Sequence, residues 1–382
     1  MLTGGDEYPL HQMPEPVALV TDRNFYDRFF YNGYSPDGRV FFAAAMGVYP
    51  ALDIIDGAFC VMIDGVQHNL RASARLNGER LAMAVGPLSV SVDVPLSEVT
   101  LRVVANAESP LSAELHFTGR HFPIEEPRFT RRIGTRLWMD YTRMTQNGRW
   151  SGWIEVAGVR HAIGPEVTGT RDRSWGIRPV GKADSQPAPQ AVKGDQRWAG
   201  PQFFWLWTPC NFGEHSVYLH TNDDGAGLPW NRRAVLWADG GQRGEEVDFE
   251  APEIAYEWEP GTRRVRRAVC QLGPETRLML TPVSPEGANT RGHFYMNGLG
   301  YTHPIWGHGM DHGDLEVAYD VIDGGCVADG DFANMHIQAV AEAVLEHEGR
   351  TYHGRGVVEQ MFVGPHGPSG LTGLFDPHPG AA

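Results

Sequence analysis

Met335-His336-Ile337-Gln338-Ala339-Val340-Ala341-Glu342-Ala343-Val344-Leu345 decides the fold of this chain. Its Ala and Glu content favours a helix by intrinsic propensity. Met335, Ile337, Ala339, Ala341, Ala343 and Leu345 nevertheless recur at every second position, and that period puts them on one face of a strand. The segment therefore reads as a long strand, with Glu348-Gly349 as its turn and residues 351–362 returning beside it. Working outward, residues 58–63, 88–94, 99–104 and 265–272 alternate in the same way, and Asp37-Gly38 and Asp64-Gly65 supply turns between such runs. The expected fold class is all-β.

A weak repeat organises the strands. Phe29-Phe30-Tyr31 followed by Tyr34-Ser35-Pro36 matches Phe203-Phe204-Trp205 followed by Trp207-Thr208-Pro209, and Asp64-Gly65 has a counterpart in Asp239-Gly240. Each unit also ends in a hairpin, around Gly158 and Gly349, which predicts duplication of one β unit. At 382 residues the chain exceeds the size at which one core usually stops growing. The expected division is an N-terminal domain of residues 1–181, a linker or loop of residues 182–195, polar and aperiodic, and a C-terminal domain of residues 196–382. Alternation alone does not choose between two sandwiches and two small barrels.

The net charge of −15 argues against nucleic acid and anionic membrane surfaces as partners, since a phosphate backbone is met by Lys and Arg. No run reaches the length of a membrane-spanning helix, so no membrane insertion is expected. Cys60, Cys210, Cys270 and Cys326 are dispersed and too few to staple a chain of this length, and read as reduced thiols. Residues 1–16 lack the basic start and apolar run of a secretory signal. Together these features predict a cytoplasmic location. The oligomeric state is left open, a homo-oligomer included.

Reactive residue types are densest in Thr170-Arg171-Asp172-Arg173-Ser174-Trp175-Gly176-Ile177-Arg178-Pro179. One reading is structural: Asp172 pairs with an arginine, Trp175 plugs a barrel end and Gly176 lets the chain turn. The other is chemical, with Asp172 as an acid in an apolar cavity, where burial raises a carboxyl pKa because its charged form is poorly solvated. In a regular strand Arg173 and Trp175 face away from Asp172, so with Thr170 they are expected as support. Tyr31, Tyr34 and Tyr49 in the first half and Trp205 and Trp207 in the second could wall a substrate, although each taken singly is more often core packing. His303, His308, Asp311 and His312 have metal-ligand chemistry but no rigid helical spacing, and no metal is expected. The absence of GxSxG, GxGxxG and P-loop patterns predicts neither a serine nucleophile nor a nucleotide cofactor.

Residues 169–176, preceded by the hairpin Gly152-Trp153-Ile154-Glu155-Val156-Ala157-Gly158, resemble the Asp-x-x-Trp-Gly signature of the lipocalin-like hydratases that include carotenoid 1,2-hydratase. Tyr301-Thr302-His303-Pro304-Ile305-Trp306-Gly307-His308-Gly309 resembles a run in a bacterial branch of that superfamily, which suggests a terpene hydratase such as a β-myrcene hydratase. The resemblance implies two tandem lipocalin-like domains, no cofactor, and Asp172 as the acid that protonates an alkene of a small isoprenoid. It also implies a tryptophan upstream of the motif in the pocket, Trp150 or alternatively Trp153, and draws Trp306 and His308 into the candidate site. The carotenoid enzymes carry an aromatic two positions before the Asp, where this chain has Thr170. Two further readings remain: a non-catalytic binder of apolar ligands, and another reaction, on steroid or fatty-acyl substrates for example, in the same fold.

Overall fold

The computed structural model describes residues 2–9, 22–133, 136–183, 202–285, 292–328 and 330–378. The chain folds into two curled antiparallel sheets, each a half-barrel of the lipocalin-like kind. In the first, the main order is Val66–Arg75, Ile54–Ile63, Val40–Tyr49, Phe25–Tyr34, Thr168–Ile177, Arg136–Val156, Leu111–Gly119, Glu98–Val103 and Leu88–Val94. In the second it is Val247–Phe249, Pro229–Ala238, His215–Asp223, Phe203–Trp207, Arg350–Val363, Ile337–His347, Thr276–Pro282, Val265–Gly273 and Glu253–Trp258. Position by position the two orders agree, the opening strand of each half lying between the next long strand and the closing strand. That agreement is the architectural form of the repeat.

The aromatic triplets themselves are one residue out of phase. Phe29 belongs to the first sheet's own core, whereas Phe203, its partner in the sequence match, packs against the cluster between the sheets. A shift of one residue in a strand exchanges its faces, so the architecture repeats while that local match does not.

Ile337–His347 is a strand, paired with Arg350–Val363 from Ile337↔Gln360 to His347↔Arg350. Glu348 and Gly349, with φ of 49° and 74°, make the two-residue turn that the twist of a hairpin favours. Period prevails over propensity because Ala339, Ala341, Ala343 and Leu345 are buried together on a sheet face.

Three clusters divide the core. Leu70, Phe117 and Trp150 pack within the first sheet, Leu206, Leu345 and Phe362 within the second, and Phe30, Tyr34, Trp207, Tyr218 and Val340 in the seam between them. Hydrogen bonds cross this seam from Asn32 Nδ2 to Gln338 Oε1 (2.9 Å) and from Asn147 Nδ2 to the Cys210 carbonyl (3.1 Å).

The halves are also interleaved. Leu315–Asp323 pairs with Val66–Arg75 at the edge of the first sheet. The loop before it is pinned by Gly309 N donating to Asp56 Oδ2 (2.7 Å) and Gly181 N donating to the His308 carbonyl (2.7 Å). Of the expected linker 182–195, all but Lys182 and Ala183 lie outside the described residues. Among the described residues no helix is long and apolar enough to cross a membrane. All four cysteines are free thiols, with only Cys326 exposed.

Candidate active site

The strand Thr168–Ile177 sends its two faces to different places. Arg171 donates to Gln146 Oε1 (2.6 Å) and to Glu7 Oε2 (2.7 Å). Arg173 pairs with Asp27 and stacks over Phe29 at 3.8 Å. Trp175 packs with Leu2 and Met144. These side chains brace the first sheet from within and do not line the cavity described below.

Asp172 faces the seam. It stands opposite Phe30 and Thr145, in register with Ser174 and Arg143 one step along the sheet. Here a cavity of about 520 Å³ opens between the sheets, within the range of small-molecule sites. A barrel interior is the usual ligand cavity of a lipocalin-like fold, but the Asp172 cavity lies outside both curled cores, walled by one strand set from each half and by the loop around Tyr301 and His308.

Burial raises the Asp172 carboxyl to about 7 against the opposing pull of Arg143, with Glu126 and Glu359 adding to the rise. Arg143 Nε lies 3.8 Å from Asp172 Oδ2, and its NH1 lies 3.8 Å from Glu126 Oε2. The Arg143 guanidinium also lies over the Trp205 ring at 5.2 Å and over Phe129 at 5.4 Å. A carboxyl poised near neutrality can donate or accept a proton without a large energetic penalty.

The facing wall carries a different acid. Glu359 Oε1 accepts from Trp205 Nε1 (2.7 Å) and contacts His336 Nε2 (2.8 Å), while Gln338 donates to Oε2. Burial pushes this carboxyl up, but His336, Gln338 and Trp205 outweigh burial and hold it below the usual range. His336 presents Nε2 to the carboxylate, and its Nδ1 is buried without a hydrogen-bond partner among the described residues. The cavity thus holds one carboxyl near neutrality and one firmly ionised, an arrangement that separates acid and base roles.

Of the residues singled out from sequence, the structure brings Asp172, Trp205, His303 and His308 to the cavity wall. Tyr31 and Trp150 pack in the first sheet's core, 6.2 Å apart edge to face, because Trp150 Nε1 finds its acceptor at the Asn32 carbonyl (2.8 Å). Trp153 lies under Arg160 at 3.8 Å. Tyr49 is committed to Arg28 (3.0 Å) and Asp56 (3.1 Å), and Trp207 fills the seam against Phe30. Thr170 is buried beside Asn32, whose Oδ1 accepts from its backbone N–H (2.8 Å).

The histidine-rich run disperses. Trp306 stacks on His312 at 3.9 Å, His312 pairs with Glu316 and Asp311 with Arg75, and the His303 ring accepts from the backbone of Ile305 and Trp306. Among the described residues no group of three His, Cys, Asp or Glu is placed to hold a metal ion.

Arg143, Glu126, His336 and Glu359 were not singled out from sequence as site residues, and Arg178 and Tyr301, although within the two motif-bearing runs, were given no role. The alternation Tyr141, Arg143, Thr145 in the strand Arg136–Val156 marks one face, but only the pairing with Thr168–Ile177 tells which acid it meets.

Fold and site together define a two-half, lipocalin-like β protein with an acid-bearing cavity at its seam. The chain belongs to the DUF8625 family, described as a family of unknown function, whose match covers residues 2–372. No curated protein matches the sequence. Among solved structures, a candidate AttH from Nitrosomonas europaea is similar at 12% identity, with 92% of this chain and 99% of that one covered and a TM-score of 0.50. Kievitone hydratase from Nectria haematococca is similar at 10% identity, with 88% of each chain covered and a TM-score of 0.47. CghA with Sch210972 is similar at 12% identity, with 94% of this chain and 97% of that one covered and a TM-score of 0.45. At these identities the likeness is one of fold.

Proposed function

We propose that the protein is a cofactor-independent hydratase or dehydratase acting on an alkene of a small isoprenoid, a monoterpene such as β-myrcene or linalool, with Asp172 as the proton donor. The observation that carries this reading is a carboxyl raised to about 7 by burial in a largely apolar seam cavity. In the forward direction the Asp172 proton bonds to one alkene carbon and leaves a carbocation on the other. The faces of Trp205 and Tyr301 and the ionised carboxylates stabilise that charge. Water then attacks the cation. His336 Nδ1, with its ring oriented by Glu359, takes the water's proton, and exchange through solvent returns a proton to Asp172. Dehydration is the same path reversed.

A plain binding cavity is the second reading, favoured by the Arg143 side chain 3.8 Å away, which gives a buried acid a counter-charge without catalysis. Gas-chromatographic product analysis after incubation with β-myrcene and with linalool tests the two readings, wild type beside Asp172→Asn. Interconversion of alkene and alcohol by wild type and its loss in the variant are expected. Binding of both terpenes by both proteins without turnover would sink the hydratase reading.

A further inference from the structure

Arg178 differs from six other inward-facing arginines. Arg28, Arg71, Arg120, Arg143, Arg171 and Arg173 each have a carboxylate oxygen within ion-pair distance. Arg178, on the cavity wall, has none among the described residues. Its NH2 donates to His308 Nδ1 (2.9 Å), its guanidinium lies over the Tyr26 ring at 4.2 Å, and its Nε is buried without a hydrogen-bond partner among the described residues.

His308 cannot serve as a counter-charge. Burial, with Arg28 and Arg178 beside it, holds its pKa well below the ordinary value, so the ring is neutral. Nε2 donates to the Leu299 carbonyl (3.1 Å), leaving Nδ1 as the acceptor that fixes the Arg178 fork. The neighbouring Arg28 is already taken by Asp56 (2.8 Å) and the Leu299 carbonyl (3.1 Å). Asp172, in the same cavity, feels the charge of Arg178 but is not within ion-pair distance of it, and an arginine that is desolvated, oriented and without a paired anion costs stability unless something supplies one.

We propose that Arg178, oriented by His308, receives the carboxylate of an amphipathic acid whose apolar body lies along Trp205 and Met361. This narrows the substrate class of the cavity from small isoprenoid alkenes in general to unsaturated isoprenoid acids, with the neutral terpenes as weaker surrogates, and rests on the reading of that cavity as the substrate site. One uncommitted guanidinium suits a singly charged, planar carboxylate, which it can grip with two parallel hydrogen bonds. A diphosphate would bring more charge than this wall can neutralise. The bound anion would also help keep Asp172 protonated and would offset positive charge developing on the substrate.

The probes are geranate and geraniol, which share one isoprenoid skeleton and differ in the charged head, titrated calorimetrically at pH 8 into wild type, Arg178→Gln and Asp172→Asn. Wild type should bind geranate at least tenfold tighter than geraniol. Arg178→Gln should lose that preference while keeping its geraniol affinity, and Asp172→Asn should retain the preference. Equal affinity for the two probes in wild type, no binding of either, or a preference that survives in Arg178→Gln overturns the proposal. The wild-type comparison decides even if Arg178→Gln fails to fold. Loss of terpene turnover with the acid preference intact would remove the hydratase reading alone, and turnover without the preference would remove this inference alone.

Discussion

Asp172 Oδ2 and Arg143 Nε stand 3.8 Å apart, near enough for their charges to interact and too far for a hydrogen bond. Attraction without contact leaves burial dominant, and the carboxyl rises to about 7. The fold therefore holds this proton more tightly than the unfolded chain does. Asp172's contribution to stability is greatest below its unfolded pKa and is lost as pH climbs through about 7. Asp172→Asn should consequently raise the melting temperature, by more at pH 8 than at pH 5. Under the hydratase reading, turnover should fall as pH rises through the same window. A melting difference that is independent of pH would mean that Asp172 is not desolvated as described.

The two tryptophans Trp150 and Trp205 should part company on substitution. Trp150 is fully buried among Phe42 and Phe117, with ring centroids at 5.2 and 5.1 Å. Trp150→Leu should cost about 3 kcal/mol of stability and leave the kcat/KM of the folded fraction unchanged. Trp205 lines the cavity and donates to Glu359 (2.7 Å). Trp205→Leu should lower kcat/KM at least tenfold, measured beside chemical denaturation of both variants.

Gly176 closes the strand that carries Asp172 with φ of 137°, and a Cβ there would lie 2.3 Å from the Asp140 carbonyl oxygen. Backbone cannot yield as a flexible side chain does. Gly176→Ala should cost about 2 kcal/mol or more, read as a lower denaturation midpoint with an unchanged m-value.

Thiol titration offers a check on packing. Cys60, Cys210 and Cys270 are buried, and burial pushes each thiol pKa up. In the native protein Cys326 alone should react with an aromatic disulfide reagent, more slowly than an unperturbed thiol because Asp323 raises its pKa, and all four should react in denaturant. Reaction of a second thiol under native conditions would contradict the described cores.

Much of the fold was legible because burial writes itself into sequence as a period. The alternation through Met335 and Leu345 overrode helix propensity, and the turns at Asp64-Gly65 and Glu348-Gly349 have the positive φ values that those residue pairs favour. Asp172 stood out by its dense surroundings, and the alternation placed Arg173 and Trp175 on the opposite face. The surroundings of Asp172 were not legible, since Arg143 is brought beside it by strand pairing, and Glu359 and His336 join the same cavity only through the packing of one sheet on the other. Aromatic type was an equally poor guide: Tyr31, Tyr49 and Trp150 have the chemistry of a pocket wall, and whether such a ring meets a ligand or a neighbouring side chain is settled by sheet register.

The strand Leu315–Asp323 gives the architecture a temporal consequence. During synthesis on a ribosome, the Val66–Arg75 edge emerges long before the segment that covers it, and His308 reaches Arg178 only when that late segment is in place. An incomplete chain carries an open sheet edge, a template for aggregation, and lacks the seam cavity. We propose residues 182–195 as the boundary between the duplicated units, yet cutting there would separate an edge strand from its sheet. The proposed units are interdependent: Leu315–Asp323 covers the edge of the first sheet, and the cavity takes its lining from both sides of that boundary.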